Sequence, residues 1–253
     1  MKRVVSSIAI VFGFYLVFTA LTLPADRAYH FFKDKMPNVK AYTLKGSIWS
    51  GKADAVVIDG KTLRAVQWSL RPWALFLGRM EAKVSFDNNA SWAEAYVAKK
   101  VLAGDVVAHD LSGQIEAGEL QGWLPAMPAK LGGNFQLKFD ELVYSPENMA
   151  LLAAEGYIDW RDAAVTVLQE AKIGDFQVDL TTTDTGISGV VSDVDEGPLS
   201  VNGSFTLAAD KTYQVDAKLG VRDSQRQDLV QSLRFLGQKD AQGNVTFTKS
   251  GSL

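Results

Sequence analysis

The sequence predicts a mainly β protein: an N-terminal transmembrane helix, then a long curved antiparallel sheet, groove- or meander-like, with a few short helices. Three observations predict it. An uncharged run of twenty residues, 4–23, follows Lys2 and Arg3. From about residue 40 apolar and polar residues alternate with a period of two, stretch after stretch. Glycine recurs close to the starts of these stretches.

Twelve residues of the run VVSSIAIVFGFYLVFTALTL are Val, Ile, Leu or Phe. A helix of that length rises about 30 Å, the thickness of a bilayer's hydrocarbon core. Small residues do not fall at the −3 and −1 positions of a cleavage site: Phe18 precedes Ala20, and Leu23 precedes Ala25. An uncleaved anchor is expected, with residues 1–23 as cytoplasmic tip and span. Positive charge stays inside, so the rest of the chain lies outside, which in a bacterium is the periplasm. Residues 24–40 form a juxtamembrane segment, and 25–36 (ADRAYHFFKDKM) read as a short amphipathic helix with Tyr29, Phe32 and Met36 near one face.

Residues 41–253 are expected to form a β-rich periplasmic domain, with no Pro/Ser-rich linker dividing it. Met80–Phe86, Phe135–Phe139, Phe176–Leu180, Phe205–Leu207, Tyr213–Leu219 and Val245–Thr248 alternate as half-buried antiparallel strands do. Gly46, Gly51, Gly78 and Gly156 are read as strand-start glycines, placed for turns, bulges or sheet corners. Ser91-Trp-Ala-Glu94 fits a capping box opening a helix to about Leu102, although Val97 and Val101 also suit a strand. Leu229, Val230, Leu233 and Leu236 form the stripe of a helix over 224–236, closed by Gly237.

Composition excludes whole classes of chemistry. The net charge is −3 without a basic patch, so nucleic acid is not an expected partner. There is no cysteine, hence no disulfide, thiolate metal site or cysteine nucleophile. His30 and His109 lack a second ligand at metal spacing. Asp110 next to His109 does not orient it, because neighbours in a strand face opposite ways. Asp184-Thr-Gly186 matches the core of aspartic proteases, but no second copy supplies the paired carboxylate. Asp193, Asp195 and Glu196 lack calcium-loop spacing and read as a solvated acidic turn. No enzyme activity and no cofactor are expected. The aromatic residues Trp49, Trp68, Trp73 and Trp160 are the candidate contact or packing residues, either plugging sheet corners or offering a surface.

Several blocks together carry a family resemblance. Leu23-Pro24-Ala25 closes the anchor. Gly46-Ser-Ile-Trp-Ser-Gly51-Lys-Ala53 follows, then Trp68-Ser-Leu-Arg-Pro-Trp-Ala-Leu-Phe-Leu-Gly-Arg79. Gly156-Tyr-Ile-Asp-Trp160, Gly197-Pro-Leu199 and Leu233-Arg-Phe-Leu-Gly237 come later. Over nearly its whole length the chain resembles the protein N family of the type II secretion system, the general secretion pathway. The resemblance implies a single-pass inner-membrane protein with a periplasmic domain and no catalytic residues. It implies an accessory, structural role in the secretion machinery. The expected partners are other components, namely the outer-membrane secretin and inner-membrane platform subunits, with membrane lipid met through the anchor. The alternative is a periplasmic lipid-binding or lipid-transfer β-groove.

Overall fold

A computed structural model of the chain describes residues 19, 22–100, 104–121, 129–166, 169–237 and 239–252. The expected anchor, residues 4–23, lies almost wholly outside them. Among the described residues no helix is long and apolar enough to cross a membrane. The chain divides into two compact units, Met1–Asn88 and Asn89–Leu253, where the alternation had run on as one region over 41–253. No change of composition marks the boundary.

The first unit opens with helix α1 (Ala25–Phe32) and a 3-10 turn, Lys33–Lys35. Ala25 and Ala28 are its buried face, while Phe31, Phe32 and Met36 are exposed. Tyr29 points to the sheet instead of lining up with Phe32 and Met36. Four strands follow: β1 (Val39–Gly46), β2 (Ser50–Ile58), β3 (Lys61–Leu70) and β4 (Arg79–Asp87). Each pairs antiparallel with its sequence neighbour. Helix α2 (Pro72–Phe76) fills the connection between β3 and β4. Proline at its first turn costs no hydrogen bond, because that N–H has no partner within a helix. The buried apolar residues described in this unit are all alanines, so its larger apolar side chains are covered only in part.

The second unit is a longer meander. It runs through β5 (Trp92–Lys100), β6 (Val106–Glu116), β7 (Lys130–Ser145), β8 (Ala150–Thr166) and β9 (Glu170–Thr183). It continues through β10 (Gly186–Asp193), β11 (Leu199–Ala208), β12 (Thr212–Val221) and β13 (Val245–Ser252). Again each strand pairs antiparallel with the next. Helix α3 (Ala117–Gln121) follows β6 and helix α4 (Gln227–Leu236) follows β12. The register stacks apolar rows on one face, for example Leu137, Ile158, Val178 and Val191. Two clusters close this face. Phe139, Ala154 and Ile187 form one; Ala163, Ile173 and Phe176 form the other, with Leu229 of α4 packed on them. Burying an Ile or Phe fully contributes about 1.5–3 kcal/mol, so each such residue in these clusters stabilises the unit substantially.

Two expectations change here. Residues 92–100 form strand β5 instead of a helix. The Ser91 hydroxyl caps no helix; it is buried and accepts the Glu116 N–H of β6 at 2.9 Å. Cross-strand pairing with β6 overrides the local capping pattern. The glycines also sit differently. Gly78 does precede β4, and Gly51 is the second residue of β2. Gly46, however, ends β1, and Gly156 lies in the interior of β8. The reason is steric. Gly51 faces Trp68 across the ladder, Gly156 faces Phe139, Gly189 faces Phe205 and Gly251 faces Tyr213. In each pair the aromatic side chain lies close to the glycine, so that a Cβ there would stand less than 3 Å from one of its atoms. A strand glycine marks such a close approach.

Candidate interaction surfaces

At one end of the first unit the chain is tied by short polar contacts. Ser47 N–H donates to Ser50 O at 2.9 Å, and the Ser47 hydroxyl accepts the N–H groups of Trp49 and Ser50, each at 3.2 Å. This closes the β1–β2 turn. Gly46 holds φ +88° and has no room for a Cβ, which would lie 2.5 Å from Ser50 O. Trp68 lies half-buried over Gly51, and its indole N–H donates to Ile48 O at 3.1 Å. Trp49 is half-buried in the turn, with its carbonyl accepting Leu70 N–H at 2.6 Å. We read both rings as packing residues.

Trp160 and Trp73 diverge. Trp160 stacks on Phe135, with centroids 5.1 Å apart, and tilts against Phe176; its indole N–H donates to Gly132 O at 2.9 Å. This is a packing environment. Trp73 is 78% exposed at the tip of α2, which makes it the one of the four that presents a full surface. Glycine alone does not separate these cases, since Gly78 lies near Trp73 and Gly156 near Trp160.

Edges differ as much as faces. A terminal strand presents a row of unpaired backbone groups. On β1 the Tyr29 hydroxyl donates to Val39 O and accepts Ala41 N–H, both at 3.2 Å. A helix side chain thus blunts that edge. On β13, among the described residues, a bridge from Lys239 reaches Val245 alone, and residues 248–252 are exposed.

The groups weighed for chemistry are scattered. His109 meets Glu141 across the ladder, Nδ1 to Oε2 3.6 Å, both side chains 45% exposed. Glu141 as the partner has no local signal, because the pairing is set by register. Asp110 sits out of the ladder with φ +50°. Asp184 lies in the two-residue loop between β9 and β10. His30 packs near Tyr29, ring centroids 6.5 Å apart. No metal-holding cluster exists among the described residues. A shallow depression of about 300 Å³ on the polar face is lined by Trp92, Ser112, Gln114, Gln136, Lys138 and Tyr157, with no carboxylate or imidazole.

Charge is organised around turns. Arg161 bridges Asp159 at 2.8 Å and Asp175 at 3.2 Å. Asp195 Oδ1 accepts the N–H groups of Asp175 and Gly197. Arg222 donates to Gly197 O, Leu199 O and the Asp193 carboxylate, while Asp193 Oδ1 accepts Val201 N–H at 2.8 Å. Burial pushes the Asp193 carboxyl upward. The hydrogen bonds from Arg222 and Val201, with the guanidinium charge, more than offset this and hold it below the ordinary 3.8. A depressed folded value stabilises the fold above the unfolded value and is lost as pH falls through the folded one. Asp193→Asn should therefore cost about 1 kcal/mol at neutral pH, discounted for the half-exposed guanidinium. The variant should also lose part of the acid-induced destabilisation below pH 3.8. Denaturant titrations from pH 7 down to acid check both; parallel curves for the two proteins would contradict a stabilising role for the Arg222–Asp193 pair.

Each unit is thus an open antiparallel meander in which every strand pairs with its sequence neighbour. The family described as type II secretion system, protein N, matches residues 37–248. The chain is 27% identical over 222 residues to the type II secretion system protein N of Vibrio cholerae serotype O1, covering 83% of each chain. It is 24% identical over 260 residues to that of Aeromonas hydrophila, covering 100% of each. No solved structure matches. The chain belongs to the type II secretion system protein N family, and is a component of that secretion machinery.

Proposed function

We propose that the chain is a non-enzymatic accessory component of the type II secretion system. Residues 1–23, a cytoplasmic tip and span, anchor it in the inner membrane, and the chain beyond lies in the periplasm and works by protein–protein contact. The secretin and the platform subunits are the expected partners. The observation that carries this reading is the difference between the terminal strands. Tyr29 occupies the β1 edge, whereas β13 keeps an exposed edge able to accept a partner strand.

The lipid-groove alternative wants an open apolar trough. In the second unit Phe139 is 6% and Ile187 2% exposed, which supports a closed core and hence the contact reading. The absence of cysteine makes the test clean. Single cysteines at Lys249 and Ser250 on β13 are expected to crosslink to another secretion component in cells making the whole machine. A cysteine at Lys138, exposed on an interior strand, is the control. Crosslinks from position 138 but not from β13 would overturn the edge as the contact.

A further inference from the structure

Five exposed large apolar side chains of the first unit are gathered around helix α2, apart from Phe31, Phe32 and Met36 near α1 and Tyr42 on β1. Trp73 is 78%, Phe76 83% and Leu77 73% exposed, with Leu75 and Met80 partly so. The rings of Trp73 and Phe76 lie 6.1 Å apart and tilt together. Ala74, 5% exposed, roots the short helix α2 between them. Single exposed apolar residues need no explanation, but a contiguous knuckle of them does.

Its position in the unit identifies what covers it. Ile48 N–H donates to Leu23 O at 3.1 Å, and Pro24 bridges to Ser47. The end of the apolar run is therefore fastened to the β1–β2 turn. Leu70 N–H donates to Trp49 O at 2.6 Å in that same turn, and Arg71 N–H donates to Glu81 O at 2.8 Å. Helix α2 begins at the next residue. Backbone hydrogen bonds thus link the exit of the apolar run to the start of the knuckle. The β2–β3 turn at Asp59 and Gly60 lies at the opposite end of the strands.

The flanking charge fits the same surface. Arg71 and Arg79 bracket the knuckle, with side chains 61% and 51% exposed, and share one carboxylate, Glu81, at 3.4 and 3.7 Å. Two largely exposed guanidiniums thus stand at the flanks of an apolar tip. Tryptophan settles at headgroup depth, where its ring is in apolar surroundings and its N–H in wet ones. Basic residues beside it meet anionic headgroups.

We propose that Trp73–Leu77 is a second membrane contact, seated in the bilayer interface beside the exit of residues 4–23. The contact rests on the anchor reading given above. Its consequence is mechanical: one helix alone leaves the body free to swivel, whereas two points of attachment fix the direction in which the strands leave the membrane.

The cysteine-free full chain carries the test. Nitroxide labels are placed one at a time at Phe76→Cys, at Thr62→Cys near the far turn and at Phe18→Cys in the apolar run. The chain is reconstituted in vesicles of phosphatidylethanolamine and phosphatidylglycerol. Circular dichroism confirms that each labelled variant folds as the parent does. The expected result is that oxygen, which concentrates in lipid, reaches position 76 severalfold better than it reaches 62, relative to a water-soluble relaxer. Position 18 then reads as lipid too. Lipid at 18 with water at 76 overturns the second contact and leaves the anchor standing. Lipid at 76 with water at 18 keeps the contact and removes the anchor; water at both removes both. Position 76 lipid-free in vesicles but shielded from a water-soluble maleimide only when the rest of the machine is made assigns the knuckle to a protein partner, and overturns the inference.

Discussion

Gly156→Ala is expected to destabilise the second unit by about 3–5 kcal/mol, combining an unfavourable backbone with overpacking. Gly156 holds φ +151°, and a Cβ there would stand 2.2 Å from Lys138 O, 2.6 Å from Phe139 Cα and 2.9 Å from Phe139 Cδ1. Two of these three atoms are backbone, so no rotamer change relieves the clash. Lys138 and Phe139 belong to β7, paired along its length with β8, and Phe139 is itself one of the buried residues. Shifting the ladder would open that cluster. A domain's whole stability is about 5–15 kcal/mol, so the loss is a large part of it. At about 2–4 °C per kcal/mol for a unit of this size, the melting temperature should fall by about 6–20 °C. Gly118→Ala is the control. Nothing lies within 4 Å of its Cβ position in α3, and alanine there should be neutral or stabilising by up to about 1 kcal/mol. Thermal unfolding of the full chain followed by circular dichroism reads both. Equal melting for Gly156→Ala and the parent would show that the ladder yields more easily than its geometry indicates.

This glycine also shows where the sequence was legible. The strands β4, β7, β9, β11, β12 and β13 announce themselves, because a half-buried antiparallel strand writes its two faces into alternate residues. Helix α4 does the same through Leu229 and Leu233, both buried. What was hidden depends on residues far apart in the chain. Gly156 needs to be glycine because of Phe139, and Gly51 because of Trp68; local pattern registers the glycine but not the ring opposite. Ser91-x-x-Glu94 looks like a helix start until Glu116 claims the serine. Tyr29 looks like one side of an amphipathic helix, and its hydroxyl is spent on the β1 edge. The tryptophans were legible as a group and not as individuals. Burial separates Trp160 from Trp73, and burial follows from the register of strands and the protrusion of α2.

Trp160→Ala is the other large effect, about 3–5 kcal/mol for removing a well-packed aromatic residue. The ring sits in the row Phe135, Trp160, Phe176 across three strands, stacked on the first at 5.1 Å and tilted on the second at 6.1 Å. It also packs against the cluster of Ala163, Ile173 and Leu229, so its loss leaves a void beside that cluster as well as removing both ring contacts. Trp160→Phe separates the terms. It keeps an aromatic ring in the row but removes the indole N–H that Gly132 O accepts at 2.9 Å, which should cost about 1–3 kcal/mol. The expected order of denaturant midpoints is parent, then phenylalanine, then alanine, with the near-ultraviolet spectrum weakening along the series. Secretion by cells carrying each variant should fall in the same order, because a packing residue acts on function only through the amount of folded protein. If the alanine variant melted like the parent and secretion still failed, the ring would be meeting a partner, and the contact surface would have to be moved from β13 to this face of the second unit.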